Sequence, residues 1–269
     1  MGFKSVRLFQ FRNIKDTEIN FTDKDIYLVG ENGQGKTNFL ESIYLLCYGS
    51  SFRTKNESMF IKYPEKQMSL SAVFNDGEQD REILLKFDKG KKAISIDGKK
   101  IRDRKQLLED FPCIAFTHDD INFVNGPPNS RRVFLNQTIS LYDGSYIDNL
   151  RVYNRVVKLR NRVLKERRID LLDIYDAQVI EAGIELQKKR TALVEEFNTT
   201  FTRLYQIISG TSVKLEIRYS PSWKCEPKVA DVSEILHSNR GRDLQYAAST
   251  TGPHRDRIGF YAGGRNYAA

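Results

Sequence analysis

Gly30, four intervening residues, then Gly35, Lys36 and Thr37 form the pattern G-x-x-x-x-G-K-T inside GENGQGKTN, residues 30–38. Each residue type has a chemical use. Glycines let backbone N–H groups turn inward around phosphate oxygens, and the helix start behind them adds a partial positive charge. Lys36 supplies an ammonium for the outer phosphates, and the Thr37 hydroxyl is a candidate ligand for Mg²⁺. The candidate triphosphate-binding residues are therefore Gly30, Glu31, Asn32, Gly33, Gln34, Gly35, Lys36, Thr37 and Asn38. The loop is shared by kinases, GTPases and chromosome-type ATPases, and the guanine-reading N-K-x-D of GTPases is absent from the sequence.

Such a loop works only if a strand delivers it and a helix follows it. KDIYLV, residues 24–29, reads as a buried strand, and TNFLESIYLLCY, residues 37–48, places Phe39, Leu40, Ile43, Leu46 and Cys47 at helical spacing. SVRLFQF (5–11) and TEINF (17–21) alternate as half-buried strands, and residues 67–101 read as an antiparallel meander with turns at 75–77, 88–90 and 97–98. Downstream of Gly126 the pattern becomes helical. Apolar stripes over 145–168 and 172–208 predict two long antiparallel helices packed on each other. SVKLEIRYS then returns to strand, VSEILHS predicts a short helix, and IGFYAGG begins another strand. The expected division is an α/β lobe over 1–126, a helical lobe over 127–210, and a return of 211–269 to the α/β lobe.

Outside the loop, two features bear on chemistry. In CIAFTHDD, residues 113–120, an apolar run leads to Asp119 and Asp120, a poor match to the acidic strand end that positions Mg²⁺ and water; a loop or helix cap is the plainer reading. Residues 151–168 carry eight basic side chains against one acid, Glu166. Their interleaving with the apolar stripe turns Arg151, Arg155, Lys158, Arg162 and Lys165 outward, an arrangement that suits a phosphate backbone or simply a solvated face. The formal net charge of +8 is compatible with a polyanionic partner. Cys47, Cys113 and Cys225 lie far apart, and the three histidines do not stand at metal-ligand spacing beside them, so no zinc site and a reducing compartment are expected. No apolar stretch reaches the ~18 residues of a membrane span and residues 1–13 lack the apolar block of a secretory signal, which leads us to expect a cytoplasmic protein with no membrane partner.

LFQFRNI (8–14), GENGQGKTNFLESIYLL (30–46), SFRT (51–54), HDDINFVNGPPNSRRVFLN (118–136), YNRVVKLRN (153–161) and TGPHRD (251–256) together, and in this order, resemble the bacterial RecF family of recombination and repair ATPases, relatives of SMC and ABC-type heads. The resemblance implies an α/β, ABC/SMC-type P-loop ATPase head with an antiparallel meander and a lobe of long antiparallel helices. It implies ATP and Mg²⁺ as cofactors and adds Arg12 as a candidate nucleotide contact. Arg53 becomes a nucleotide or partner contact, and Arg131 and Arg132, behind a capping Ser130, become phosphate-facing residues counted with the DNA-binding set.

It further implies ATP-dependent homodimerisation of heads on DNA at gaps or single-strand/duplex junctions, with single-stranded DNA binding and a part in the SOS response. RecO-like and RecR-like mediators would be partners that support RecA loading. This chain departs from the family pattern at 118–120, at Asn136 and at Arg257, the last two where an acid is usual. The family's signature loop and second acidic motif would follow GPHRD, and neither occurs in these 269 residues; AGGR at 262–265 is no substitute. No catalytic residue is therefore assigned, and weak ATP hydrolysis is expected of residues 1–269. A P-loop kinase with a small acceptor and a non-catalytic interaction domain are the alternatives.

Overall fold

Strict alternation in QMSLSAVF puts Met68, Leu70, Ala72 and Phe74 on one side of a strand, and that side is buried. In the computed structural model, which describes residues 2–223 and 226–267, this strand lies near the middle of a six-stranded antiparallel sheet. Its members are β1 (Gly2–Phe9), β2 (Thr17–Asn20), β3 (Gln67–Asn75), β4 (Asp80–Asp88), β5 (Lys91–Ile96) and β6 (Lys99–Lys100), in the order β2-β1-β3-β4-β5-β6. Register pairs Leu70 with Leu85 and Leu85 with Ile94, so one face is continuously apolar. Two helices share that core, α1 (Lys36–Tyr48) through Phe39, Leu45 and Leu46, and α2 (Lys105–Asp110) through Leu107. These elements make a compact unit over residues 1–115.

Two apolar runs do not form the strands expected of them. Residues 24–30 are irregular, with Ile26, Tyr27 and Val29 exposed, and residues 112–117 are irregular with Ile114 and Phe116 exposed. An apolar run becomes a buried strand only where a neighbour takes up its backbone hydrogen bonds. No described strand pairs with either run.

The second compact unit, residues 116–269, holds α3 (Asn122–Asn125), α4 (Pro128–Tyr142), α5 (Gly144–Lys165), α6 (Leu172–Ser209), β7 (Leu215–Ser220), α7 (Val229–Tyr246), β8 (Arg257–Ala262) and β9 (Arg265–Asn266). The two long helices are present as expected, packed along α5 and α6 through Tyr153, Val156, Val179 and Leu186. The boundaries expected at 126 and 210 do not appear. The chain divides at 115/116, and 211–269 packs with the helices: Ile217, Trp223, Val232, Leu236, Ile258 and Phe260 share one core with α5 and α6. Gly183 in the middle of α6 is part of that packing, because a Cβ there would lie 2.4 Å from the Trp223 ring. The short helix expected at VSEILHS is the eighteen-residue α7, and AGGR is the β8–β9 turn, with Gly263 and Gly264 at positive φ.

Ion pairs fix the helices to one another. Arg160, fully buried, donates from Nε to Asp176 (2.6 Å) and from Nη1 to Asp243 (2.6 Å) and Ser249 Oγ (2.9 Å), tying α5 to α6 and α7. It is thus the exception to the outward-facing cations of 151–168. A carboxylate at both ends lets a guanidinium be buried without an uncompensated charge.

Candidate nucleotide-binding loop and basic helical face

The loop ahead of α1 has the backbone its glycines predict: φ is 156° at Gly30, 85° at Gly33 and 98° at Gly35, the residue that caps α1. The last two are left-handed conformations that side chains resist. Lys36 Nζ donates to the carbonyls of Gly30 (2.7 Å) and Glu31 (2.8 Å). An ammonium has three protons, so one remains for a ligand in the loop. Gln34 Oε1 accepts from Glu31 N (3.2 Å), and Asn13 Nδ2 donates to Gly33 O (2.8 Å). Thr37 is exposed in the first turn of α1.

Behind the loop, one buried carboxylate gathers two arginines. Glu41 takes Arg12 in a two-pronged pair, Oε1 to Nη2 at 2.8 Å and Oε2 to Nε at 3.1 Å, and also meets Ser51 Oγ and Arg53 Nη1, the latter at 3.4 Å. Arg53 Nη1 reaches Asn38 Oδ1 (2.6 Å), and Asn38 Nδ2 reaches Asn13 Oδ1 (2.8 Å). A continuous chain of hydrogen bonds thus runs from Glu41 through Arg53, Asn38 and Asn13 to the Gly33 carbonyl of the loop. Arg12, expected as a nucleotide contact, has Nε and Nη2 committed to Glu41, whereas Arg53 is the more open of the two. Glu41 and Asn13 were not among the candidate residues. A glutamate and a serine, Glu41 and Ser42, among the apolar positions of the TNFLESIYLL helix were the only available signal.

On α5, Arg151, Arg155, Lys158, Arg162 and Lys165 are all exposed. Their 4-3-4-3 spacing confines them to an arc of about 80° and spreads them over about 21 Å of helix. Arg162 pairs with Glu166 (2.8 Å) and Arg151 with Asp148 (3.5 Å), both solvent-exposed pairs. Arg155, Lys158 and Lys165 have no ion pair among the described residues.

Arg131 and Arg132, expected to face phosphate, both donate to backbone carbonyls. Arg131 donates to the carbonyls of Ile258 (2.9 Å) and Val124 (2.7 Å), and Arg132 to the carbonyl of Asp256 (2.9 Å). They fasten α4 to the chain around β8, and Arg131 in particular is a structural residue rather than an open phosphate contact. Ser130 does not cap α4, which begins at Pro128 behind Pro127. Asp120 accepts from Thr117 N and closes the turn at 117–120, the role of a cap; the side chain of Asp119 lies outside the described residues, as does Cys225. Cys47 and Cys113 are free thiols. No described helix is long and apolar enough to cross a membrane.

A glycine loop folded around its own lysine, at the head of a helix beside an antiparallel sheet, defines a P-loop ATPase-type domain. Residues 5–209 match the family model of the AAA domain. The Smc head domain of Pyrococcus furiosus bound to the C-terminal domain of ScpA shares the fold, with a TM-score of 0.53 at 17% identity over 100% of this chain and 75% of that one. The DNA replication and repair protein RecF of Treponema pallidum is 39% identical over 93% of this chain and 71% of its own length. That of Clostridium perfringens is 31% identical over 97% and 73%. The recombination mediator protein RecF, solved as RecF-ATP in the RecFOR pathway, gives a TM-score of 0.91 at 28% identity over 99% of this chain and 74% of that one. The chain belongs to the RecF family of DNA replication and repair proteins.

Proposed function

We propose that the loop at 30–38 binds ATP and that binding switches the association of this chain with DNA. The observation that carries the reading is the Lys36 ammonium held on the Gly30 and Glu31 carbonyls with one proton to spare, at the start of α1. Gly30 through Asn38 would wrap the triphosphate. The hydroxyl of the exposed Thr37 fits a hard, oxygen-seeking cation next to phosphate, and Mg²⁺ held there would offset the charge of the outer phosphates. Arg53 and Arg12 stand behind the loop on Glu41, and their charge favours the same anion. A solved relative named as RecF-ATP at 28% identity supports the nucleotide.

DNA would lie along the cationic stripe of α5, Arg151, Arg155, Lys158, Arg162 and Lys165, through its phosphates and without sequence reading. ATP would bring two heads together on DNA at gaps or junctions, and RecO-like and RecR-like mediators would act with the dimer in loading RecA, as the relative's place in the RecFOR pathway supports. The test is equilibrium binding of a fluorescent ATP analogue with Mg²⁺, followed by light scattering with and without duplex. Saturable binding lost in Lys36→Ala is expected. Binding unchanged in that variant would overturn the assignment of the loop.

A further inference from the structure

In the second unit, between α4, α5, α6 and the 253–255 turn, lies a cavity of about 90 Å³ lined by Asn129, Arg132, Asn136, Asn154, Arg190 and His254 among others. No carboxylate lines it. Its polar groups can be assigned as donors or acceptors from their partners. His254 Nε2 faces the Ser249 carbonyl at 3.0 Å, and a carbonyl only accepts, so Nε2 carries the proton; Nδ1 then accepts from the Tyr153 hydroxyl at 2.7 Å. Both imidazole nitrogens are thereby used. Asn136 receives Arg190 Nη2 (3.0 Å) and the Tyr146 hydroxyl (2.6 Å), and only Oδ1 can accept them. Its Nδ2 protons therefore point the other way, and no acceptor meets them among the described residues. Asn129 Oδ1 likewise faces Arg132 Nη2 at 3.4 Å, which turns its amide protons outward. Asn129 and Asn154 are exposed at the rim.

Charge points the same way. Asp256, the acid that Arg190 meets, is already engaged by Arg190 Nη1 (2.8 Å), Ser222 N (2.8 Å) and the Tyr219 hydroxyl. Burial first, then the charge of Arg190, hold the Arg132 guanidinium below its ordinary range, with Asp256 offsetting part of the shift and Arg255 adding to it. A cavity that no carboxylate lines, and into which the Arg132 guanidinium and the uncommitted Asn136 amide donate, disfavours a cation and matches an anion that presents several oxygens. Its size corresponds to about three molecules of liquid water, room for a tetrahedral oxyanion.

We propose that this cavity is a binding site for a single phosphate group, held by Arg132 and the Asn136 amide, with Asn129 and Asn154 at its mouth. It is separate from the P-loop, and it adjoins the α5 stripe through Asn154, which lies on the same helix. Asn136 stands where the family resemblance leads one to expect an acid, and an acid there would close the site to anions while keeping the oxygen that Arg190 and Tyr146 use. The phosphate can be free or can belong to a nucleic-acid backbone.

The experiment is a titration of the full chain in a Lys36→Ala, Arg155→Ala, Lys158→Ala, Lys165→Ala background, which silences the P-loop and the α5 stripe, followed by the side-chain amide signals of Asn136 and Asn154 in ¹⁵N–¹H correlation spectra. Inorganic phosphate and a short unphosphorylated DNA duplex are the two probes. Saturable movement of both amides with either probe is expected, at least tenfold weaker in Asn136→Asp with the Asn154 amide as reporter. Response to phosphate alone supports a free-phosphate site, and response to duplex supports a backbone phosphodiester. No saturable movement with either, or equal affinity in the variant, overturns the proposal. Should Asn136→Asp fail to fold, Asn154→Asp at the exposed rim gives the same decision, read from the Asn136 amide.

Discussion

Glu41, fully buried in α1, holds Arg12 by both carboxylate oxygens, at 2.8 Å to Nη2 and 3.1 Å to Nε, and the same carboxylate touches Arg53. Removing the carboxylate leaves the largely buried Arg12 guanidinium with its charge unmet, while Arg53 stays open to water. Glu41→Ala is therefore expected to destabilise the first unit by about 3 kcal/mol, the usual cost of breaking a buried pair from one side. ATP affinity should fall with it, because the chain of bonds from Glu41 to Gly33 is cut. Thermal unfolding and nucleotide titration check the two effects. A variant with unchanged melting temperature would show that the pair contributes no net stability.

Lys36→Ala separates binding from folding. Both bonds made by Nζ go to carbonyls of an exposed loop, so melting should move by less than about 1 kcal/mol. ATP affinity should drop tenfold or more, since a charge-assisted contact to phosphate is worth about 1.5–3 kcal/mol. Isothermal titration with Mg²⁺ present reads this directly.

The α5 stripe makes a quantitative claim about salt. Each phosphate neutralised on duplex DNA contributes about −0.9 to the slope of log K against log salt. Replacing Arg155, Lys158 and Lys165 together by Ala should therefore flatten the slope by about 2 to 3. All three side chains are exposed, so the variant should fold normally. A salt dependence equal to that of the parent would count against this face as the DNA contact.

His254 gives the protein an acid-sensitive limb. Burial first, helped by the charges of Arg255, Arg132 and Arg160, holds its imidazole down to about 4, against 6.5 when unfolded. Between those values the unfolded chain binds more protons than the folded one, so stability rises with pH. The contribution is complete above about 6.5 and is lost as pH falls towards about 4, up to ~3 kcal/mol in all. In His254→Gln, the melting temperature should depend less on pH across this window. Parallel curves for the two proteins would refute the assignment.

How far each feature could be read in advance follows from the range of the forces involved. The glycine loop, α1, the meander and the long helices α5 and α6 depend on contacts a few residues apart, namely positive φ at glycine, helical spacing and strand alternation. The sequence alone determined these, together with the outward-facing cations of α5, whose 4-3-4-3 spacing is a local property of one helix. Its spaced motifs also carried the family.

Only the tertiary structure decided what depends on a partner far along the chain. KDIYLV and CIAFT have the composition of buried strands but no described neighbour to pair with, and Ile26, Val29 and Phe116 are exposed. Arg160 and Arg131 belong to basic runs like their neighbours, yet one is buried between Asp176 and Asp243 and the other is fixed to Ile258 and Val124. Glu41 offered almost no signal, because a carboxylate becomes a hub only when Arg12 and Arg53 are folded onto it. The burial of a charge is decided by its counter-charge, and in this protein the counter-charges lie from 12 to 83 residues away.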